Sequence, residues 1–189
     1  MTEKIIDLIP SPAECEDLMF RYDMLPNIFN HSQQVMRVAL AITDNLIDGV
    51  MVNRALVAAA ALLHDITKTR SLKTKEPHDR SGGELLRNLG YAGIARIVEE
   101  HVILRSFSPE GRLEEREIIY YADKRVMHES VVSLRERVQD LLCRYGVTEE
   151  IKKHILQNEF QALGVERKIA GFMAIDLDCA IQEAAAARI

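Results

Sequence analysis

The stretch Ala58-Ala59-Ala60-Ala61-Leu62-Leu63-His64-Asp65-Ile66-Thr67-Lys68 decides how the chain is read. Its first six residues are strong helix formers, and an apolar run of this kind belongs inside a protein. The run ends on His64-Asp65. An imidazole beside a carboxylate at the end of a buried helix is costly unless something satisfies both, and a divalent cation does so directly. On its own, a His-Asp pair is also compatible with a helix cap or a solvated surface.

Other residues of the same chemistry lie on either side. Upstream is His31, one helical turn before Val35 in a segment with Val35, Val38, Ala39, Ile42 and Leu46 at three-and-four spacing. Downstream are His78, ahead of Ser81-Gly82-Gly83; His101, on the side of Ile94, Ile97 and Val98; and Asp123, within the apolar run Ile118-Ile119-Tyr120-Tyr121-Ala122. A carboxylate among such residues needs a metal ion or an ion pair with a nearby Lys or Arg. His78 and His101 suit either metal ligation or contact with substrate. His128 and His154 lack partners at ligand spacing and are expected on the surface or half-buried.

Taken in order, His31, His64-Asp65 with Lys68, His78 with Gly82, His101 and Asp123 resemble the HD-domain superfamily of metal-dependent phosphohydrolases. The likeness spans about residues 25 to 130. It is greatest to the bacterial group that hydrolyses dinucleoside tetraphosphates symmetrically. The sequence departs from that group at Val102, where a Thr is usual after the histidine, and at Lys124-Arg125-Val126 after the aspartate.

The resemblance implies an all-α HD-type helical bundle flanked by N- and C-terminal helices, as one domain over 1–189 with an extension from about 131. It implies metal ligation by His31, His64, Asp65, His78, His101 and Asp123, with Asp65 and Lys68 as catalytic candidates. Six ligands exceed the needs of one tetrahedral ion, so two divalent transition-metal ions are expected, bridged by Asp65. His31, His64 and Asp123 then hold one and His78 and His101 the other. A nitrogen and oxygen donor set suits Fe, Mn, Co, Ni or Zn. Such a site fits hydrolysis of a phosphoester or phosphoanhydride of a nucleotide or dinucleoside polyphosphate. A nucleotide-binding module without turnover and a di-iron oxygenase use the same kinds of residue.

Lys68, Arg70, Arg105 and Lys124 are the candidates for contacting substrate phosphate. Thr67 to Pro77 is basic and aperiodic, and is expected to be a loop over the site.

Helices are predicted from Ser11 to about Tyr22, Asn30 to Ile47 after a break at Pro26, Asn53 into His64, His78 to Gly90 and Ala92 to Leu104. Others are predicted over Leu113 to Glu129, Val131 to Tyr145, Thr148 to Leu163 and Val165 to Ala187. Ser11-Pro12-Ala13-Glu14 is a capping box, and Asn53 and Thr148 are N-caps.

A formal charge of −5 argues against general nucleic-acid binding, while leaving room for a local basic patch. Three widely spaced cysteines, Cys15, Cys143 and Cys179, give neither a disulfide framework nor a thiolate zinc site. MTEKIIDLIP has no long apolar core of the secretory type, and no run reaches the roughly eighteen apolar residues that span a bilayer. The expected setting is the cytoplasm, and the expected partner is a small phosphorylated molecule.

Overall fold

A computed structural model describes residues 8–186. The chain folds as α1 (Pro12–Arg21), α2 (Pro26–Asp44), α3 (Arg54–Leu63), α4 (Lys68–Thr74), α5 (His78–Asn88) and α6 (Ala92–Val98). There follow α7 (Glu115–Lys124), a hairpin of β1 (Val126–Met127) and β2 (Ser130–Val131), then α8 (Leu134–Tyr145), α9 (Glu149–Gly171) and α10 (Leu177–Ala186). It is an all-α bundle with one small antiparallel ribbon.

Helix α3 is the axis of the bundle. Asn53 caps it by accepting from Leu56 N, and Val57 through Leu63 are all buried. A helix apolar on every side must be surrounded. Here α1, α2, α6 and α7 pack around it. The packed face of α2 is the one its spacing predicts, with Val35, Val38, Ala39 and Ile42 inaccessible to solvent.

Several boundaries differ from the sequence expectation, each for a physical reason. Pro26 does not break the path. It occupies the first turn of α2, where its missing N–H costs nothing. Residues 68–74 form a short helix instead of a loop; its Leu72 stays exposed, so no apolar stripe announced it, and Lys75 closes it at φ 62°. Helix α6 stops at Val98 because His101 Nδ1 bonds the Val98 carbonyl at 2.6 Å. The irregular segment that follows is held by amide side chains of α9: Asn158 donates to Val102 O and Gln161 to Leu104 O.

Helix α7 ends at Lys124, and the ribbon replaces its predicted last turn. Val131 pairs in β2, so α8 begins only at Leu134, behind a Ser133–Glu136 capping box. Residues 149–171 are one helix. Gly164 does not interrupt it, and its missing side chain makes room for the Phe107 ring, which lies 3.1 Å from where a Cβ at 164 would stand. The N-terminal decapeptide and the predicted helix end at Ala187 lie partly outside the described residues.

The last helices close the bundle. Helix α9 packs on α7 and α8, and α10 on α2. A Lys168–Glu117 ion pair of 2.7 Å, both side chains buried, fastens α9 to α7. Arg125, also buried, reaches Asp178 of α10 at 2.8 Å. Among the described residues, no helix is long and apolar enough to cross a membrane.

Candidate metal centre

His64 and Asp65 sit where α3 stops and the chain turns into α4, with Lys68 N bonding back to Asp65 O at 2.8 Å. The turn aims both side chains away from the apolar wall of α3. Around them the bundle brings His31 from α2, His78 from the first turn of α5, His101 just beyond α6 and Asp123 from α7. The six residues named from the sequence therefore converge.

They converge in two groups that share one carboxylate. His31, His64 and Asp65 each offer a ligand atom within 4.8 Å of the others, and so do Asp65, His78 and His101. Asp65 Oδ2 faces His64 Nε2 at 3.6 Å, whereas Oδ1 faces His78 Nε2 at 3.1 Å and His101 Nε2 at 3.6 Å. Asp123 Oδ1 joins the first group, 3.1 Å from His31 Nε2 and 3.6 Å from His64 Nε2.

The imidazoles are oriented from behind. Their Nδ1 atoms bond main-chain carbonyls: His31 to His128 O at 2.9 Å, His64 to Ala61 O at 2.7 Å and His101 to Val98 O at 2.6 Å. With Nδ1 donating to a carbonyl, Nε2 is the ring atom turned to the cluster: its lone pair would ligate a cation, as in metal-binding histidines, and in metal-free protein a second proton there is donated by His31 to Asp123 and by His101 to Asp65. His128, the acceptor for His31, holds φ 57° in the ribbon turn, a conformation that histidine tolerates better than most residues. The Asn30 side chain donates to Glu129 at 3.0 Å and fastens that turn to α2.

His64 Nε2 is buried without a hydrogen-bond partner. An orphaned lone pair inside a protein is unfavourable unless something occupies it. With imidazole nitrogens and carboxylate oxygens converging on the same space, the donor set fits one or more divalent cations.

The electrostatics agree. Burial would raise the Asp65 and Asp123 carboxyls. For Asp65 it is outweighed by the neighbouring His64 charge, by hydrogen bonds from His101 and His78, and by Lys68; for Asp123, by the His31 bond and the His64 charge. Both stay well below the usual carboxylate range. Burial depresses His64 to about 4, below the ordinary imidazole value. His31 is buried too, but its bond to Asp123 lifts it above the usual value.

A cleft of about 260 Å³ opens on the cluster, lined by five of the six residues together with Lys68, Val102, Lys124, Arg137 and Asn158. Lys68 Nζ stands 3.3 Å from Asp65 Oδ1 and 3.1 Å from His78 Nε2. Lys124 Nζ donates to the carbonyls of His101 and Tyr120, and burial lowers it to about 8.

Arg70 and Arg105 are not brought here. Arg70 pairs with Glu76 at 2.5 Å, and Arg105 lines a separate cleft beside Phe107 and Arg167. The sequence reading missed Arg137 and Arg144 of α8 and Asn158 of α9. It also set His128 aside, although that carbonyl orients His31. Their spacing on amphipathic helices gave no sign of which face would meet the cluster.

The HD-domain family matches residues 28–128, more than half of the chain. The protein belongs to the HD-domain family. All six converging residues lie inside the matched segment, and HD domains are in general metal-dependent hydrolases, which accords with a His/Asp cluster able to hold a metal. A curated relative, the tRNA (cytidine(56)-2'-O)-methyltransferase of Picrophilus torridus, is 28% identical over 148 residues, covering 70% of this chain and 41% of the relative. The matched part is thus about two-fifths of that relative's length. No solved structure matches the chain.

Proposed function

We propose that this HD-domain protein is a metal-dependent phosphohydrolase that cleaves a phosphoester or phosphoanhydride of a nucleotide or dinucleoside polyphosphate. The observation that carries the reading is the division of Asp65. Its two oxygens face different sets of histidines, as a carboxylate shared between two ions requires. His31, His64, Asp123 and Asp65 would hold one ion, and His78, His101 and Asp65 the other. Two bound divalent ions supply Lewis acidity to a phosphoryl oxygen and make a bound water a nucleophile near neutral pH.

The chain's own residues do the rest. The Nδ1 bonds to main-chain carbonyls fix the imidazoles before any ligand arrives, so little reorganisation is needed on binding. Lys68 and Lys124 supply positive charge at the walls of the inner cleft, where they would neutralise the phosphoryl group. These lysines favour a phosphorylated substrate over an oxygenase substrate. Val102 and Lys124, the positions that depart from the dinucleoside-tetraphosphate hydrolase group, both line the cleft, so the leaving group is where this protein would differ from that group.

Methyl transfer to tRNA, named for the Picrophilus relative, belongs to a protein of which the match covers 41%; the clustered histidines and aspartates support hydrolysis instead. The test is elemental analysis of protein purified without chelator, followed by a hydrolysis panel of nucleotides, dinucleoside polyphosphates and simple phosphomonoesters. About two ions per chain and release of phosphate or a nucleotide product are expected. A metal-replete protein that hydrolyses no member of the panel overturns the reading, and tight nucleotide binding without product would make it a binding module.

A further inference from the structure

The inner cleft does not end at the cluster. An adjoining cleft of about 350 Å³ shares His31, Asp65, Lys68, Arg137 and Leu141 with it and runs outward to Arg144. Arg137, Leu141 and Arg144 lie at three-and-four spacing on one face of α8, so a single helix forms the roof of both. This helix lies beyond the HD-matched segment, which ends at residue 128.

The two arginines are held in place. Asp140, between them on the helix, pairs with Arg144 at 2.7 Å and with Arg137 at 3.5 Å. Arg144 Nη2 also reaches His128 Nε2 at 2.8 Å, which ties it to the turn that orients His31. One carboxylate between two guanidiniums leaves a net positive charge. Arg137 Nε is buried and has no hydrogen-bond partner, and Asp140 Oδ2, 3.5 Å from Arg137 Nη1, is buried without one as well, so the two face each other without Nε being satisfied. A buried donor on a cationic fork calls for an anionic acceptor with several oxygens, and a phosphate group is the natural match.

Positive charge therefore runs from Lys68 and Lys124 at the cluster, past Arg137 where the clefts meet, to Arg144 at the outer end. A lone phosphoryl group at the cluster would use only the inner part. We infer that Arg137 and Arg144 form a second anion subsite, supplied by the C-terminal extension, which binds a further phosphate of the same substrate beyond the one at the cluster. The inference rests on the phosphohydrolase reading for its choice of substrate and deepens it. Specificity for a ligand with linked phosphates then comes from α8 and not from the HD segment.

The test is calorimetric titration of full-length, EDTA-treated protein with ADP and with AMP, which separates phosphate recognition from metal and from turnover. Wild type should bind ADP at least about tenfold more tightly than AMP, as expected for charge-assisted hydrogen bonds to an added phosphate. That preference should collapse in an Arg137→Ala, Arg144→Ala double variant and recover only in part in Arg144→Lys, which keeps the charge and loses the fork. Arg135→Ala, exposed on the same helix and outside both clefts, should keep it. Thermal melts of every variant confirm folding.

No ADP preference in wild type, or a preference that survives the double substitution, overturns the subsite. If the preference follows the two arginines while metal-loaded protein hydrolyses nothing, the hydrolase reading fails and the subsite stands. If nucleotides are hydrolysed but the ADP/AMP ratio of kcat/KM is the same in wild type and the double variant, the subsite fails and the hydrolase reading stands.

Discussion

His64 is fully buried with its Nε2 unpartnered, so the protein without metal carries an unsatisfied acceptor that a bound ion relieves. His64→Ala opens a cavity at a fully buried ring and strands the Ala61 carbonyl, so it should lower the melting temperature of EDTA-treated protein, and should in addition abolish the stabilisation that added Mn²⁺ or Co²⁺ gives the wild type. Asp65→Asn keeps the side-chain shape and removes the shared charge. We expect metal content to fall by at least half by elemental analysis, and hydrolysis to fall at least about a hundredfold.

The imidazoles also set a pH dependence of stability in metal-free protein. Burial lowers folded His64 to about 4 from 6.5, so between these values the unfolded chain binds more protons and stability falls as pH falls. His31 is raised instead, despite its burial, by its bond to Asp123; its contribution is complete below 6.5 and is lost as pH rises through the higher folded value. Urea midpoints of EDTA-treated protein should be greatest near the ordinary histidine pKa and decline on both sides. A midpoint flat from pH 4 to 8 would contradict both assignments. The residue types of the centre were plain in the sequence because histidines and aspartates inside apolar runs have few other uses. Which oxygen faces which imidazole was not plain, since that depends on five helices meeting.

At the scale of elements, the approach of α5 to its neighbours places His78. A Cβ on Gly82 would stand 3.2 Å from Val98 Cγ1 and 3.4 Å from Thr67 Oγ1, and that hydroxyl donates to the His78 carbonyl. Gly82→Val should force α5 outward and displace His78, destabilising the fold by about 1–3 kcal/mol in a denaturant titration. The sequence indicated this packing through Gly82-Gly83, since paired glycines inside a helix signal a close backbone. It failed at α4, whose exposed Leu72 leaves no apolar stripe, and at Gly164, whose role is to admit a ring from a distant loop.

For the whole molecule, the contact between the HD segment and the C-terminal helices matters most. Glu117 on α7 is 1% exposed and pairs with Lys168 on α9, which also donates to Ser108 O at 2.9 Å. Lys168→Met leaves a buried carboxylate without its partner and should cost about 3–5 kcal/mol of unfolding free energy. Adding Glu117→Gln to Lys168→Met should recover most of it, because the penalty lies in the stranded charge and not in the loss of a favourable pair. Chemical denaturation of the three variants gives the comparison. Equal loss in the single and double variants would mean that packing around the pair, and not its charge, holds α9 on α7.

The amino-acid order by itself determined the all-α class, the caps at Ser11, Asn53 and Thr148, the buried axis ending at His64-Asp65 and the six residues that meet there. The caps and the buried axis follow from local residue chemistry and periodicity, and the cost of burying imidazole and carboxylate groups marks the candidate ligands, whereas their assembly into one set of six, and the bundle around them, is what the resemblance to the HD superfamily implied. Only the tertiary structure decided that Asp65 stands between two sets of histidines, that the His128 carbonyl orients His31, and that α8 lays Arg137 and Arg144 over the cleft while Arg70 and Arg105 lie elsewhere. The reason is that spacing along a helix fixes which residues share a face, whereas the packing of distant helices fixes what that face meets.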